Sequence, residues 1–179
     1  MPVDKYFLRT ERLGFRRWSE DDLGIATTQW GDPEVTRFLV DGGRLSAEGI
    51  RKRLEREIAC HREHGIQYWP MFLLETDEHI GCSGLCPYDL DKNILETGFQ
   101  VLPCHWRQGF AEEASRAVIR HAFDSLKVTA LFAGHNPNNE APRCLLSKLG
   151  FELTHEEFYE PTGLMYPSYL LTEETYRSW

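Results

Sequence analysis

No apolar run in the sequence approaches the ~20 residues needed to cross a bilayer, which argues against a membrane-spanning helix. The opening residues Met1-Pro2-Val3-Asp4-Lys5 lack the charged-then-apolar pattern of a secretion signal. Basic residues are in deficit. Twenty Lys and Arg face 28 Asp and Glu, a formal net charge of −8, which argues against general nucleic-acid binding through phosphates. An acidic surface favours a cationic substrate or a basic peptide instead, or simply aids solubility. Five cysteines (Cys60, Cys82, Cys86, Cys104 and Cys144) are an odd number spread along the chain. That pattern fits reduced thiols better than a disulfide framework and points to a cytoplasmic protein. Both common nucleotide signatures are missing. Neither Gly-x-Gly-x-x-Gly nor Gly-x-x-x-x-Gly-Lys-Ser/Thr occurs, which disfavours a dinucleotide fold and a P-loop. Internal repeats and low-complexity segments are absent as well.

What is there reads as one domain over residues 1–179, with 41% hydrophobic and 27% charged residues. Residues 10–18 alternate Leu13 and Phe15 against polar neighbours and predict an opening strand. Ser19 before Glu20, Asp21 and Asp22 reads as an N-cap with an acidic first turn. It opens a helix with Leu23, Ala26 and Trp30 on one face. Ser46 caps a second helix whose stripe is Ile50, Leu54 and Ile58, and Gly65 ends it. Residues 67–75, where Pro70 implies an edge or a bulge, then 80–85 and 95–102, predict an antiparallel meander. Residues 111–123 form a helix with Ala111, Ala114, Val118 and Ala122 on one face. A strand over 128–133 should then return parallel to the strand ending near Leu102. A short helix over 140–149, with Leu145, Leu146 and Leu149 inward, precedes a last strand pair over 151–158 and 166–171. His61 with His64 lacks a third ligand, and Cys82, Cys86, Cys104 and His105 do not form a usual zinc knuckle, so no metal is expected.

The chemically suggestive stretch runs from His105 to Ala114. A strand leads into Trp106-Arg107-Gln108-Gly109-Phe110-Ala111-Glu112, and a helix follows. Gly109 and Ala111 leave the first-turn N–H groups uncovered at the positive end of the helix dipole, a ready site for pyrophosphate. Taken alone the signal is weak, because most glycines at helix starts serve tight turns only.

Several motifs in order give it context. They are Thr10-Glu11-Arg12-Leu13 with Arg16, Gly31-Asp32-Pro33-Glu34-Val35 with Arg37-Phe38-Leu39, and Ile80-Gly81-Cys82-Ser83-Gly84. Glu96-Thr97-Gly98-Phe99 and Asn139-Glu140-Ala141-Pro142-Arg143, running to Leu149-Gly150-Phe151, complete the set. With the glycine turn after the fourth strand, the chain resembles the GNAT superfamily of acyl-CoA-dependent N-acetyltransferases over nearly its whole length. The branch it resembles includes the ribosomal-protein alanine N-acetyltransferases.

The resemblance implies an α+β (mixed α/β) fold: a mostly antiparallel sheet of about seven strands with about four helices. The fourth and fifth strands should splay apart in a V. It further implies acetyl-CoA as co-substrate, bound by Phe99, Val101, Leu102, Trp106, Arg107, Gln108, Gly109, Phe110, Ala111, Glu112, Asn139 and Arg143. Trp106 stands where the family commonly has Gln or Arg, and Pro142 stands where Ser is frequent. Arg143 lies within reach of a phosphate, although a solvated side chain is the favoured reading for it.

Glu96 falls at the family's catalytic glutamate. An alkylammonium near pKa 10.4 must lose a proton before it attacks a thioester, so Glu96 is the candidate base and His105, expected to face solvent on the loop, the runner-up. Exposed N–H groups near Phe99 to Leu102 would meet the oxyanion. No cysteine matches an acyl-enzyme role, so direct transfer in a ternary complex is expected. The family's usual general-acid tyrosine is replaced by Leu146, which leaves Tyr159, Tyr166, Tyr169 and Ser147 as substitutes. The expected partners are acetyl-CoA and an amine, either a protein N-terminus or a small cationic molecule, with no nucleic acid and no membrane. A homodimer stays open. The other reading is a non-catalytic acyl-CoA-binding or sensor protein that keeps the fold.

Overall fold

In a computed structural model describing residues 5–179, eight strands form one sheet. They are β1 (Leu8–Arg9), β2 (Leu13–Phe15), β3 (Tyr68–Leu73), β4 (His79–Asp89), β5 (Ile94–Val101), β6 (Ala130–Gly134), β7 (Glu152–Tyr159) and β8 (Leu164–Thr172). Six α-helices accompany them: α1 (Leu23–Gly31), α2 (Pro33–Thr36), α3 (Ala47–His64), α4 (Phe110–Arg120), α5 (Ala141–Lys148) and α6 (Glu173–Arg177). Met1 to Asp4, read above for a secretion signal, lie outside the described residues. The sheet order is β1-β2-β3-β4-β5-β6-β8-β7, antiparallel throughout except for β5 and β6, which a helical crossover joins in parallel.

The mixed, mostly antiparallel architecture is the one the sequence implies, with eight strands in place of about seven and six helices in place of about four. The predicted strand over 10–18 is shorter, and a separate strand precedes it. A turn in which Thr10 Oγ1 accepts the Leu13 N–H at 2.9 Å divides β1 from β2. The added helices, α2 and α6, have four and five residues, too few to show a period. Pro70 lies inside the sheet, not at its edge. Its carbonyl accepts the Arg16 N–H at 3.3 Å, just past the end of β2, so its missing donor faces the side where pairing has run out. The predicted bulge is present beside it, between Met71 and Phe72.

Each face of the sheet buries its own cluster. On one, Ala114 and Val118 of α4, with Ala122 in the wider turn that follows it, pack close against Leu13, Phe15, Leu85, Leu95 and Leu131. On the other, Ala26 and Trp30 of α1 and Ile50 and Leu54 of α3 cover Tyr68 and Cys82. Alternation along β5 sends Leu95 and Val101 to the α4 side and Gly98 and Gln100 to the other. Trp30 fixes Gln100 there, donating from Nε1 to its Oε1 at 2.9 Å. β6 pairs with β5 only over Ile94, Leu95 and Glu96, after which β5 runs on to Val101 with no strand partner on that edge. This is the expected splay, between β5 and β6 in the full count.

His79, at the start of β4, carries a pH-dependent cost. Its ring packs on Trp18 and Phe72, and neither nitrogen has a well-formed hydrogen bond. Burial pulls its pKa down to about 4, against a weaker opposing pull from the Gly81 backbone. An unfolded histidine titrates near 6.5, so between that value and about 4 the unfolded state binds a proton the folded state does not. Stability therefore falls as pH drops through this window and levels off below it. His79→Phe should flatten that slope in urea midpoints taken from pH 7 to 4. An unchanged slope would assign the acid sensitivity elsewhere.

Candidate functional site

The turn between β5 and α4 is built by two residues in left-handed backbone, Arg107 at φ 60° and Gly109 at φ 81°. Glycine adopts that conformation without side-chain strain. The Glu113 N–H donates to the Gly109 carbonyl at 3.1 Å as the first rung of α4. The N–H groups of Phe110, Ala111 and Glu112 therefore stand ahead of the ladder, and no side chain caps them. Such a cradle fits a pyrophosphate, held by backbone donors and the helix dipole.

The turn is tied down from several directions. Arg12 donates from Nη1 to the Gln108 carbonyl at 3.0 Å and from Nε to Glu113 Oε2 at 2.6 Å. Trp106 folds back over the strand end, its Nε1 donating to the Val101 carbonyl at 2.7 Å. The Phe110 ring is buried with the Arg12 guanidinium 4.3 Å from its centre, which leaves only its backbone to face a ligand. The Glu112 carboxylate is taken by Arg116 and Lys148, which draws its pKa down and offsets its charge beside the cradle. His105 does not face solvent. It is buried edge-on against Phe110, with Nε2 3.1 Å from Glu78 Oε1, so packing has claimed the runner-up base.

Strand parity decides which N–H groups the splay exposes. The Leu102 N–H donates to the Ile80 carbonyl at 2.8 Å, toward β4, so Leu102 has no donor for an oxyanion. Alternation turns the N–H groups of Phe99 and Val101 the other way, into the opening where β6 has ended. Of the four residues from Phe99 to Leu102, two thus turn their N–H groups to the gap, and Gln100 and Leu102 face β4.

A cavity of about 720 Å³ lies at this gap and is walled from both faces of the sheet, by Ser115 and Ile119 of α4 and by Arg53, Glu57 and Cys60 of α3. Of the expected site residues, Glu96, Phe99 and Asn139 line it; Val101, Leu102, residues 106–112 and Arg143 do not. The cradle sits further along α4, outside the lining, and Arg143 is exposed on α5. Asn139 Oδ1 accepts the Ala141 N–H at 3.3 Å at the start of α5.

Glu96 is on the α3 side of the sheet, deep in the wall. Burial pushes its carboxyl pKa up, and Glu157 adds to the rise. A hydrogen bond from the Cys86 thiol and the Arg53 charge pull the other way. Cys86 is the cross-strand partner of Glu96, and burial holds its thiol protonated. Tyr68 reaches into the same wall because β5 has Gly98 there; a Cβ on Gly98 would lie 2.7 Å from the Tyr68 hydroxyl. The sequence reading missed Cys86, Arg53 and Tyr68, and the β4–β5 register is the signal that pairs Cys86 with Glu96.

Of the four general-acid candidates, Tyr159 and Tyr166 line the cavity, their rings 4.6 Å apart. The Tyr166 hydroxyl donates to the Phe38 carbonyl at 3.2 Å. Burial, then the Glu96 charge, raise the Tyr159 pKa. Tyr169 is buried against His135 with its hydroxyl 3.2 Å from Nε2, and Ser147 points to solvent outside the lining. The described residues contain no cluster of three or more His, Cys, Asp or Glu able to hold a metal, and no helix long and apolar enough to cross a membrane.

Comparison with known proteins adds independent findings. A family model described as an acetyltransferase (GNAT) domain matches residues 12–152. The uncharacterized N-acetyltransferase p20 of Bacillus licheniformis is 30% identical over 145 residues, 81% of this chain and 82% of that protein. The FsC-acetyl coenzyme A-N(2)-transacetylase of Aspergillus fumigatus is 36% identical over 136 residues, 72% of this chain and 56% of that one. A spermidine N-acetyltransferase of Vibrio cholerae, solved with CoA and spermine, superposes at a TM-score of 0.77 with 14% identity, covering 94% of this chain and 99% of that one.

Proposed function

The chain belongs to the GNAT acetyltransferase family, and on that premise we propose that it moves an acetyl group from acetyl-CoA directly to a primary amine in a ternary complex, residues 1–179 acting as one domain. One observation carries the reading. The cavity passes through the splay of β5 and β6, with the half-buried Glu96 carboxylate on one side and the Phe99 N–H turned into the gap, Val101 following at its rim.

Acetyl-CoA, when bound, supplies an activated acyl carbon and a thiolate leaving group. Phe110, Ala111 and Glu112 would hold its pyrophosphate through their N–H groups. Asn139 lies on the cavity wall where the pantetheine arm would run. Glu96 takes the proton that the incoming ammonium must lose, and its raised pKa brings its basicity nearer to the task while leaving it ionised above its titration range. The Phe99 and Val101 N–H groups face the oxygen on which charge develops. The thiolate, near pKa 8.5, can leave without a dedicated acid, and Tyr159 or Tyr166 stands in the cavity to protonate it.

A ligand that binds the native state raises the melting temperature by mass action. Acetyl-CoA and CoA are expected to stabilise the protein and NAD is not. CoA release should then follow with at least one amine among peptides and small amines. Stabilisation without release for any amine would favour the sensor reading, to which the buried Leu146 in the cavity wall lends weight. No stabilisation by either CoA species at millimolar concentration would remove both.

A further inference from the structure

α3 presents two arginines to the cavity, Arg53 and Arg56, one turn apart. Arg53 is tightly ordered. Its Nε donates to Glu57 Oε1 at 2.9 Å, and its Nη2 reaches the same oxygen at 2.9 Å. The other Glu57 oxygen accepts the Tyr68 N–H at 2.8 Å, so Glu57 is fixed in turn. The guanidinium lies 5.3 Å from the Trp30 ring centre and 5.7 Å from that of Tyr68. A guanidinium has five N–H donors in a rigid fork. Glu57 engages one edge, and Nη1 meets no acceptor among the described residues while its side chain lines the cavity. Arg56 has no ion pair among the described residues and lines the cavity as well.

Of the acidic side chains other than Glu96 that line the cavity, Glu57 answers Arg53, Glu63 pairs with Arg62 at 3.7 Å, and Glu157 accepts from the Tyr88 hydroxyl and from His155. Glu96 lines the same cavity, and the charges of both Arg53 and Arg56 draw its pKa down. A polyamine that reached Glu96 with one ammonium would set its further cations against these arginines. A molecule with an ammonium and a carboxylate a few bonds apart would meet Glu96 and the arginines together. Its carboxylate meets an already ordered guanidinium edge, the geometry in which arginine binds carboxylates best.

We propose that the acceptor is an amine that also carries a carboxylate, as in a free amino acid, with the carboxylate held by the open edge of Arg53 together with Arg56 and the amine directed at Glu96. This rests on the acetyl-transfer reading and narrows it. The test is CoA release with free amino acids, their carboxamides and the corresponding decarboxylated amines, alongside melting of the CoA-saturated protein with each. At least one amino acid should exceed its carboxamide in kcat/KM by about tenfold or more, the scale of a hydrogen bond to a charged group. Arg56→Gln, at an exposed position that folding does not depend on, should lose most of that preference through KM with kcat little changed. Arg53→Lys, which keeps the charge and loses the fork, should lose it too. Amides or decarboxylated amines used as well as the acids, or a preference untouched by Arg56→Gln, would overturn the proposal and leave acetyl transfer standing. CoA binding with no release for any of the three sets would overturn the proposal too, and the catalytic reading on which it rests would fall only if the peptides also gave no release.

Discussion

Glu96→Gln should cut turnover by about two orders of magnitude or more while the CoA dissociation constant moves less than about twofold, because a positioned base contributes roughly 10²–10⁴-fold and the cradle is elsewhere. The split between the two readouts is the informative part. Glu96 lies in the cavity wall on the α3 side of the sheet, and the N–H groups of Phe110, Ala111 and Glu112 stand outside the cavity lining. A loss of both turnover and affinity would point to a disturbed β5. Unchanged turnover would end the base assignment.

The pH dependence of the two proteins should differ as well. Burial is the largest influence on the Glu96 carboxyl and raises its pKa above the ordinary 4.5. In the wild type kcat/KM should climb with pH through that raised value as the base ionises, and the glutamine variant should lack this limb. Stability carries the opposite sign. Above its unfolded pKa the free carboxyl ionises more readily than the buried one, so the unfolded state gains and the fold loses stability, fully so above the folded pKa. Glu96→Gln should accordingly melt higher than the wild type at neutral pH, with the gap closing below about pH 4. An enzyme that becomes slower and more stable by one neutralised carboxylate is the signature of a charge buried for function.

The parts of the fold that sequence pattern reveals are those with a period or a stop. The stripe Ile50, Leu54 and Ile58, the Gly65 stop, the alanine face of α4 and the meander all appear where expected. So does the parallel return of β6, which follows from the helical crossover. Residues whose role depends on rotation or register are not legible in this way. Arg53 reads as part of a solvated helix face, yet α3 is turned so that Arg53 and Glu57 lie under Trp30 and Tyr68. Cys86 falls beyond the predicted end of its strand at Leu85, while the real strand continues to Asp89 through an irregularity after Pro87. That extension is what sets Cys86 opposite Glu96. His105 looks like a loop residue in sequence, and only the packing of Phe110 beneath the turn shows why it is buried. Leu102 was one residue out of phase, since a strand alternates its donors and an expectation of which edge stays open needs the partner strand.

Replacing Gly109 with valine should weaken CoA binding by about tenfold or more, with a much smaller change in the melting temperature of the free protein. The physical reason is conformational. Gly109 sits at φ 81°, a backbone that costs a residue with a Cβ about 1–2 kcal/mol and a β-branched one more. The space itself is not tight, since a Cβ there would meet Arg12 Nη2 at an ordinary 3.5 Å. In the free protein the exposed stretch from Trp106 to Gly109 can relax out of the left-handed region by giving up the Arg12 hydrogen bond to the Gln108 carbonyl, and so shed part of that cost. Relaxing it shifts the entry of α4 and with it the N–H groups of Phe110, Ala111 and Glu112. A bound pyrophosphate would need those groups back in line, so the strain reappears on binding, where about 1.4 kcal/mol is a factor of ten. Gly109→Ala should show the same effect at smaller size, because alanine tolerates the conformation better than valine. Calorimetric titration of CoA into the three proteins reads the series directly. Equal affinities across Gly, Ala and Val would mean that the turn geometry does not hold the pyrophosphate, and side chains such as Arg107 would have to replace the backbone cradle in the account.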